Sequence, residues 1–433
     1  MTLAPGGANA ARAPTGSRRP LLVKKFGGTS VSSLERMREV ARLSFESQRA
    51  GDDVVVVVSA MSGETDRLLS LARKAQPLPD LREVDVVAAT GEQVSCALVA
   101  MCIQALGGKA CSLLGHQLPM LTDASFGTAR IHDVGCERIE QALAQGEIPV
   151  VAGFQGVDGS GNITTLGRGG SDASAVALAA VLGASACEIY TDVEGIYTAD
   201  PRVIPAARKL PSISYEEMLE LASLGARVLQ ARSVEIAMRH EVPLHVRSSF
   251  SSKPGTWVTG REQQPFETRG PTGIACALGQ VQVVLAGVPW RESLLAEVTS
   301  LLADSGASAD MLAHAVRGGD GARVDLTFAL SEGDLDRARE ALEQLAASLP
   351  GGEVRVSGRL ARVSLVGIGV RSDPRIAAHL CRSLSGHGIA VSGLVVGELR
   401  VTCLVDEAAA DRAVQVLHDA FELSAESGAE GQP

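Results

Sequence analysis

Four stretches of the chain combine glycine with hydroxyl, acidic or basic side chains in patterns that suit an anionic ligand. They are "KFGG" (25–28), "SAMSGET" (59–65), "TTLGRGGSD" (164–172) and "TDVEGIYTADPR" (191–202). Glycine lets backbone N–H groups close on oxygen, and a helix N-terminus adds positive potential. Lys25, Arg168 and Arg202 bring formal charge. The chemistry these residues suit is the binding of phosphate. No G-x-x-x-x-G-K-[S/T] stretch and no H-R-D or D-F-G set occurs, which excludes a P-loop and a protein-kinase site. Singly, each stretch is more simply a turn, a capped helix start or a solvated loop. Their order along the chain favours the functional reading.

The elements that must hold these loops are legible around them. "LLVKKF" and "DDVVVVVSA" are β-branched runs of the kind found in parallel strands buried on both faces. "ERMREVARLSFES" between them has helical spacing, and Val84 to Leu106 reads as a long helix carrying "TGEQ". "GEIPVVAGF" and "ACEIYTDV" are further strands, flanking the alanine-rich helix "SDASAVALAAVLGA". Ser171 and Asp172 are expected to cap that helix. "SYEEMLELASLGARVLQARSVEIAMRH" reads as helix broken at Gly225, followed by the strand "VPLHVRSSF". Alternation of strand and helix predicts an α/β, three-layer αβα sandwich around a mostly parallel sheet. Ligands in such sheets bind beyond the carboxyl ends of the strands, where all four loops fall.

A Pro-, Gly- and charge-rich stretch near residues 251–273 marks a junction. Beyond it the chain repeats a strand, glycine loop, helix, glycine turn and strand, with Gly287 and Gly367 in matching places. Two ferredoxin-like βαββαβ copies are expected, as in paired regulatory modules.

Composition narrows the function classes. Apolar residues are 45% of the 433 and charged residues 21%, enough for a large core. A net charge of −10 and only 3% aromatic residues argue against nucleic-acid binding. The eight cysteines are scattered, with no CxxC, so no metal ligand is assigned and a reducing, cytoplasmic setting is expected. The apolar runs are too short to suggest a membrane span.

"KKFGGTSV", "TTLGRGGSDASA" and "YTDVEGIYTADPRVIP" resemble the three signatures of the aspartate kinase family, which has the amino-acid-kinase fold. "VVVVVSAMSGETDRLL", "ATGEQVSCALVAM" and "VVAGFQGV" fit the family in the same order, and the tail is similar to its tandem ACT domains. The resemblance runs from Leu22 to Phe421. It implies ATP- and Mg²⁺-dependent phosphorylation of the L-aspartate side chain, the step toward lysine, threonine and methionine. Lys25 would face the transferred phosphoryl group, with Phe26, Gly27 and Gly28 beside the nucleotide phosphates. Ser59, Thr65, Glu92, Arg168, Gly169, Gly170 and Ser171 match the aspartate-binding positions, Glu92 toward the α-ammonium and Arg168 toward the α-carboxylate. Asp172 matches the catalytic aspartate. Thr191, Asp192, Tyr197, Thr198, Ala199, Asp200, Pro201, Arg202 and Arg227 match nucleotide-binding positions, with arginine at 227 where the family usually has lysine. Strand alternation sends Lys24 and Lys25 to opposite faces, leaving Lys24 as the ordinary lysine.

The expected order is a disordered tail over 1–20, a catalytic domain over 21–265, ACT domains over 274–350 and 354–424, and a flexible tail over 425–433. Homo-oligomers through the ACT domains are expected. The effector positions depart from the family: "VPWRESL" and "ADMLAHAV", with His314 and Ala315, replace its polar set, as does "IAVSGLVVGELR". Feedback by lysine and threonine is therefore expected to be weakened or absent, the bland alternative being a changed effector. A kinase acting on another small carboxylate such as glutamate, an aspartate kinase dedicated to specialised metabolism, and a non-catalytic ACT sensor are the competing readings.

Overall fold

The computed structural model describes residues 19–226, 228–260, 270–317 and 323–424. The expected tails at either end, the domain limit at residue 265 and the proposed nucleotide contact Arg227 fall wholly or largely outside these residues. The chain divides into two units, Met1–Tyr190 and Thr191–Pro433.

The first unit contains β1 (Leu21–Phe26), α1 (Leu34–Ala50), β2 (Asp53–Val58), α2 (Glu64–Ala75), α3 (Leu81–Ala105) and β3 (Ala110–Leu113). It continues with β4 (Met120–Thr122), β5 (Ile131–Val134), α4 (Glu137–Ala144), β6 (Ile148–Ala152), β7 (Gln155–Val157), β8 (Ile163–Thr165) and α5 (Gly170–Leu182). It closes in β9 (Ala186–Thr191), all but the last residue of which belongs to this unit. Its main sheet runs β9-β1-β2-β6-β3, every pairing parallel. A second sheet runs β5-β4-β7-β8. Val54 to Val58 are each 0% exposed, which is why β2 carries an unbroken β-branched run instead of an alternating one. Met37, Val40 and Ala41 of α1 and Cys96, Val99 and Ile103 of α3 share one core with Phe26, Val56 and Val150. Ser33 caps α1 by accepting from the Arg36 amide, and Asp80 caps α3 by accepting from that of Arg82. By length and composition α3 could cross a membrane, but half of its apolar window is buried, which marks it as a core helix.

The start of α5 differs from the expected capping. Gly169, in the left-handed region at φ 72°, is the N-cap, and no side chain caps the helix. Ser171 and Asp172 lie inside the first turn, both buried. Every residue from Gly170 to Ala179 is buried, so the helix needs small side chains all round rather than a polar face.

The second unit contains β10 (Ser212–Ser214), α6 (Tyr215–Ser223), α7 (Ala231–His240), β11 (Leu244–Ser248) and β12 (Thr256–Thr259), with β12 between β10 and β11. Ser214 and Glu217 form a reciprocal capping box at α6. Gly225, at φ 115°, sits between the two helices, as the sequence predicts. There follow β13 (Gly273–Pro289), α8 (Ser293–Asp304), β14 (Asp310–Arg317), β15 (Arg323–Ser331), α9 (Glu332–Ser348), β16 (Glu353–Val356), β17 (Leu360–Val366), α10 (Pro374–Gly386), β18 (Gly393–Val396), β19 (Arg400–Asp406) and α11 (Ala410–Ala420).

The 17-residue β13 serves two modules. Its second half pairs with β15 and β16, giving the ferredoxin-like order β16-β13-β15-β14. Its first half pairs with β17, giving β13-β17-β19-β18. Each half feeds its own core: Val281, Val283 and Leu285 pack with α8 and α9, whereas Ile274 packs with α10 and α11. The second copy thus takes its outer strand from upstream of the first.

Candidate active site

Lys25 sits one residue from the end of β1, and its Nζ lies 2.5 Å from Asp172 Oδ1 in the first turn of α5. Both side chains are about nine-tenths buried. Lys24, its neighbour, pairs instead with Glu188, which is directly opposite it in β9, at 3.2 Å. Tyr190 donates its hydroxyl to the same carboxylate at 3.0 Å and stacks on Phe26 at 4.6 Å between ring centroids. Lys24 is 5% exposed, a buried ion-pair partner rather than a solvated side chain.

Backbone approaches bring the loops after β1 and β2 together. Ser59 N–H donates to the Phe26 carbonyl and Ser62 N–H to that of Gly28. A Cβ on Gly28 would come 2.9 Å from the Ala60 carbonyl oxygen, so no larger residue fits without moving the loop. The Ala60 amide donates to Glu92 Oε1 at 3.0 Å. Gly91 makes that approach possible, since a Cβ there would lie 2.8 Å from the Ala60 methyl. Glu92 is 3% exposed, and burial pushes its carboxyl up to about 7. Ser59 and Thr65 are half-buried nearby in sequence, Thr65 in the first turn of α2.

Two residues not anticipated from the sequence shape the third loop. Phe154, after β6, has φ 68°, an unusual value for an aromatic residue. Its amide donates to Ser174 Oγ on α5, and its carbonyl accepts from Leu166. Asp85, on α3, is 1% exposed and accepts from the Thr165 amide and hydroxyl and from the Gly127 amide, at 2.7–2.9 Å. It lies seven residues before Glu92, two helical turns on the same face. One helix therefore holds both a buried carboxylate and the base of the loop that carries Arg168. Arg168 itself is exposed at the loop tip.

In the second unit, the stretch from Thr191 to Arg202 divides by burial. Asp192, Asp200, Pro201 and Arg202 are exposed, and the Asp200 carboxylate accepts from the Arg202 amide at 2.9 Å. Tyr197 is half-buried, its hydroxyl 3.5 Å from Glu194. Thr191 holds Asp192 through its hydroxyl at 3.1 Å. Thr198 and Ala199 turn inward. Ala199 is in the core with α10 and α11, and the amide, carbonyl and hydroxyl of Thr198 are all engaged by other protein groups. These two brace the segment and present no polar group to a ligand. Among the described residues, no group of three or more His, Cys, Asp or Glu could cage a metal ion.

A parallel sheet whose loops gather a buried lysine–aspartate pair and a buried glutamate, ahead of a ferredoxin-like tail, defines a class. The amino acid kinase family model matches residues 20–248, and an ACT domain model matches residues 363–421. The aspartokinase of Mycolicibacterium smegmatis is 44% identical over 411 residues, 94% of this chain and 98% of that protein. That of Thermus thermophilus is 44% identical over 403 residues, 93% of this chain and 99% of that one. The crystal structure of E. coli aspartokinase III in complex with aspartate and ADP superposes with a TM-score of 0.77 at 26% identity, covering 93% of this chain and 100% of that one. The chain belongs to the aspartokinase family, phosphotransferases with a carboxyl group as acceptor.

Proposed function

We propose that this chain transfers the γ-phosphoryl group of ATP to the side-chain carboxylate of L-aspartate, giving 4-phospho-L-aspartate and ADP. The observation that carries this reading is the Lys25–Asp172 pair at 2.5 Å, nine-tenths buried at the head of α5. A carboxylate oxygen of aspartate attacks phosphorus, and the bond from phosphorus to the ADP oxygen breaks. With an ordinary pKa of about 3.9, that carboxylate is ionised at neutral pH, so the reaction needs no general base. What it needs is positioning and charge neutralisation as two anions approach. Lys25 supplies the charge, and Asp172 orients its ammonium. Gly27 and Gly28 let the backbone approach phosphate. Glu92 takes the α-ammonium and Arg168 the α-carboxylate, with Ser59, Thr65 and Gly169 to Ser171 completing the aspartate site. Thr191, Asp192, Tyr197, Asp200, Pro201 and Arg202 serve the nucleotide.

The donor set suits Mg²⁺ held chiefly by phosphate and water, with Asp172 as the carboxylate at hand. When bound, the ion neutralises phosphate charge. Lys25→Met and Asp172→Asn should each lower kcat by at least about 100-fold, as when a transition-state charge partner is removed, with the circular dichroism spectrum unchanged. Near-normal kcat in either folded variant contradicts the assignment.

The remaining readings concern the tail and the setting. The exposed apolar residues Leu312 and Val316 on β14, and Leu394 and Val396 on β18, support pairing of copies through the ACT modules. All eight cysteines are free thiols, which supports residence in the reducing cytoplasm. Feedback by lysine and threonine is weakened or absent. In support, the Trp290 ring stacks on His314 at 4.8 Å, and Asp310 is engaged by Arg362 and Arg400 at 3.1 and 3.4 Å. Groups that would greet an amino-acid ligand there are already occupied with one another.

A further inference from the structure

Thr198 is 0% exposed and fully bonded, although it lies inside the stretch assigned to the nucleotide. Its hydroxyl donates to the Leu423 carbonyl at 2.9 Å and accepts the Arg208 amide at 3.0 Å. The same oxygen lies 3.0 Å from Nε2 of His418, on α11. With the hydroxyl proton already given to Leu423, the imidazole must be the donor, so His418 is the Nε2–H tautomer. Its Nδ1 is then an acceptor and faces the Ser424 hydroxyl at 3.5 Å. His418 is 0% exposed, and burial holds its pKa below the usual histidine value, which keeps the ring neutral. The main chain completes the junction. The Thr198 amide donates to Arg208, and the Thr198 carbonyl accepts from Ile274, at 2.9 and 2.7 Å. Ala207 bridges Ser424, and Ala199, Ile204 and Ala207 share a core with Val414, Leu417 and Leu423.

We infer that His418, with the turn after α11, is a positioning residue for nucleotide binding: it fixes the shape of the 191–202 segment through Thr198. The inference rests on the reading that this segment binds nucleotide. Two donors, the His418 ring and the Arg208 amide, and one acceptor, the Leu423 carbonyl, meet on one hydroxyl, and His418 and Leu423 lie 220 and 225 residues from it in sequence. Such a junction tolerates little local adjustment, because each group left unpaired is costly. It also makes α11 of the regulatory tail a direct support of the segment assigned to the nucleotide.

The test uses the full chain and ADP as the probe. His418→Ala should weaken ADP binding, measured by calorimetry, about tenfold, the scale of one lost hydrogen bond. The KM for aspartate should stay unchanged. His418→Gln, whose amide can donate in place of Nε2–H, should recover most of the affinity. Thr198→Val, which keeps the shape and loses the hydroxyl, should weaken ADP binding as His418→Ala does, and it carries the test should the alanine variant not fold. Native ADP affinity in the folded variants overturns the inference, as does an equal loss for both substrates without rescue by glutamine. Arg202→Ala separates the two levels. If it weakens ADP binding while His418→Ala and Thr198→Val do not, the positioning role alone has failed. If it too leaves ADP affinity unchanged, the nucleotide reading of the segment falls, and this inference with it.

Discussion

Lys24 and Lys25 are adjacent, both buried and both ion-paired, yet only one is assigned to catalysis. Alternation in β1 explains the split, because consecutive side chains leave a strand on opposite faces. Removing Lys24 takes the neutralising cation from the buried Glu188 carboxylate, which keeps the Tyr190 hydroxyl. Lys24→Ala should therefore cost about 3–5 kcal/mol of stability, the usual penalty for breaking a buried pair, while kcat of the folded protein changes little. Urea unfolding reads this directly, and an unchanged midpoint would refute it. Glu92 makes a second prediction. Burial raises its carboxyl to about 7, so below that pH the free protein holds a proton that must leave before the group can accept an ammonium. KM for aspartate should rise as pH falls below 7, approaching about tenfold per unit, and Glu92→Gln should flatten the dependence. A KM that is flat in the native protein from pH 8 to 6 contradicts that role. Lys25, Asp172 and Glu92 lie in short motifs visible in the sequence, and all three are buried. The Lys24–Glu188 pair was not visible there, because the partners are 164 positions apart and meet only once the β1–β9 register is known.

At the scale of elements, the strands and long helices followed from buried β-branched runs and helical spacing, and the break at Gly225 from glycine alone. Three features escaped that reasoning. The capping preference at "SD" was overridden because α5 is buried all round and its turn is made by Gly169. Asp85 carries no motif of its own, and its two-turn spacing from Glu92 is the signal that could have marked it. The shared β13 reads as a single strand whose two halves obey different partners, and only long-range pairing reveals the division. The regulatory strands carry their own prediction. With Trp290 stacked on His314 and Asp310 held by two arginines, millimolar lysine plus threonine should change the kinase rate by less than twofold, an effect well under 1.4 kcal/mol of coupling. Strong synergistic inhibition would show instead that these groups yield to a ligand.

For the whole molecule, the net charge of −10 repels anions in general, so two anionic substrates must be met by a few well-placed cations. That is the economy the Lys25 and Arg168 loops express, and it fits a chain matched over more than nine-tenths of its length by aspartokinases. Family membership was legible in the sequence because several motifs recur in a fixed order. In the proposed site, the choice of small carboxylate is assigned to Glu92 and Arg168. The most direct measurement is ADP release by the purified full-length chain with ATP and Mg²⁺, in parallel with L-aspartate, with L-glutamate and without an acceptor. ADP formed with aspartate, at a rate far above both other conditions, is the predicted result. Equal or faster turnover with glutamate, or release that ignores aspartate, would contradict the account.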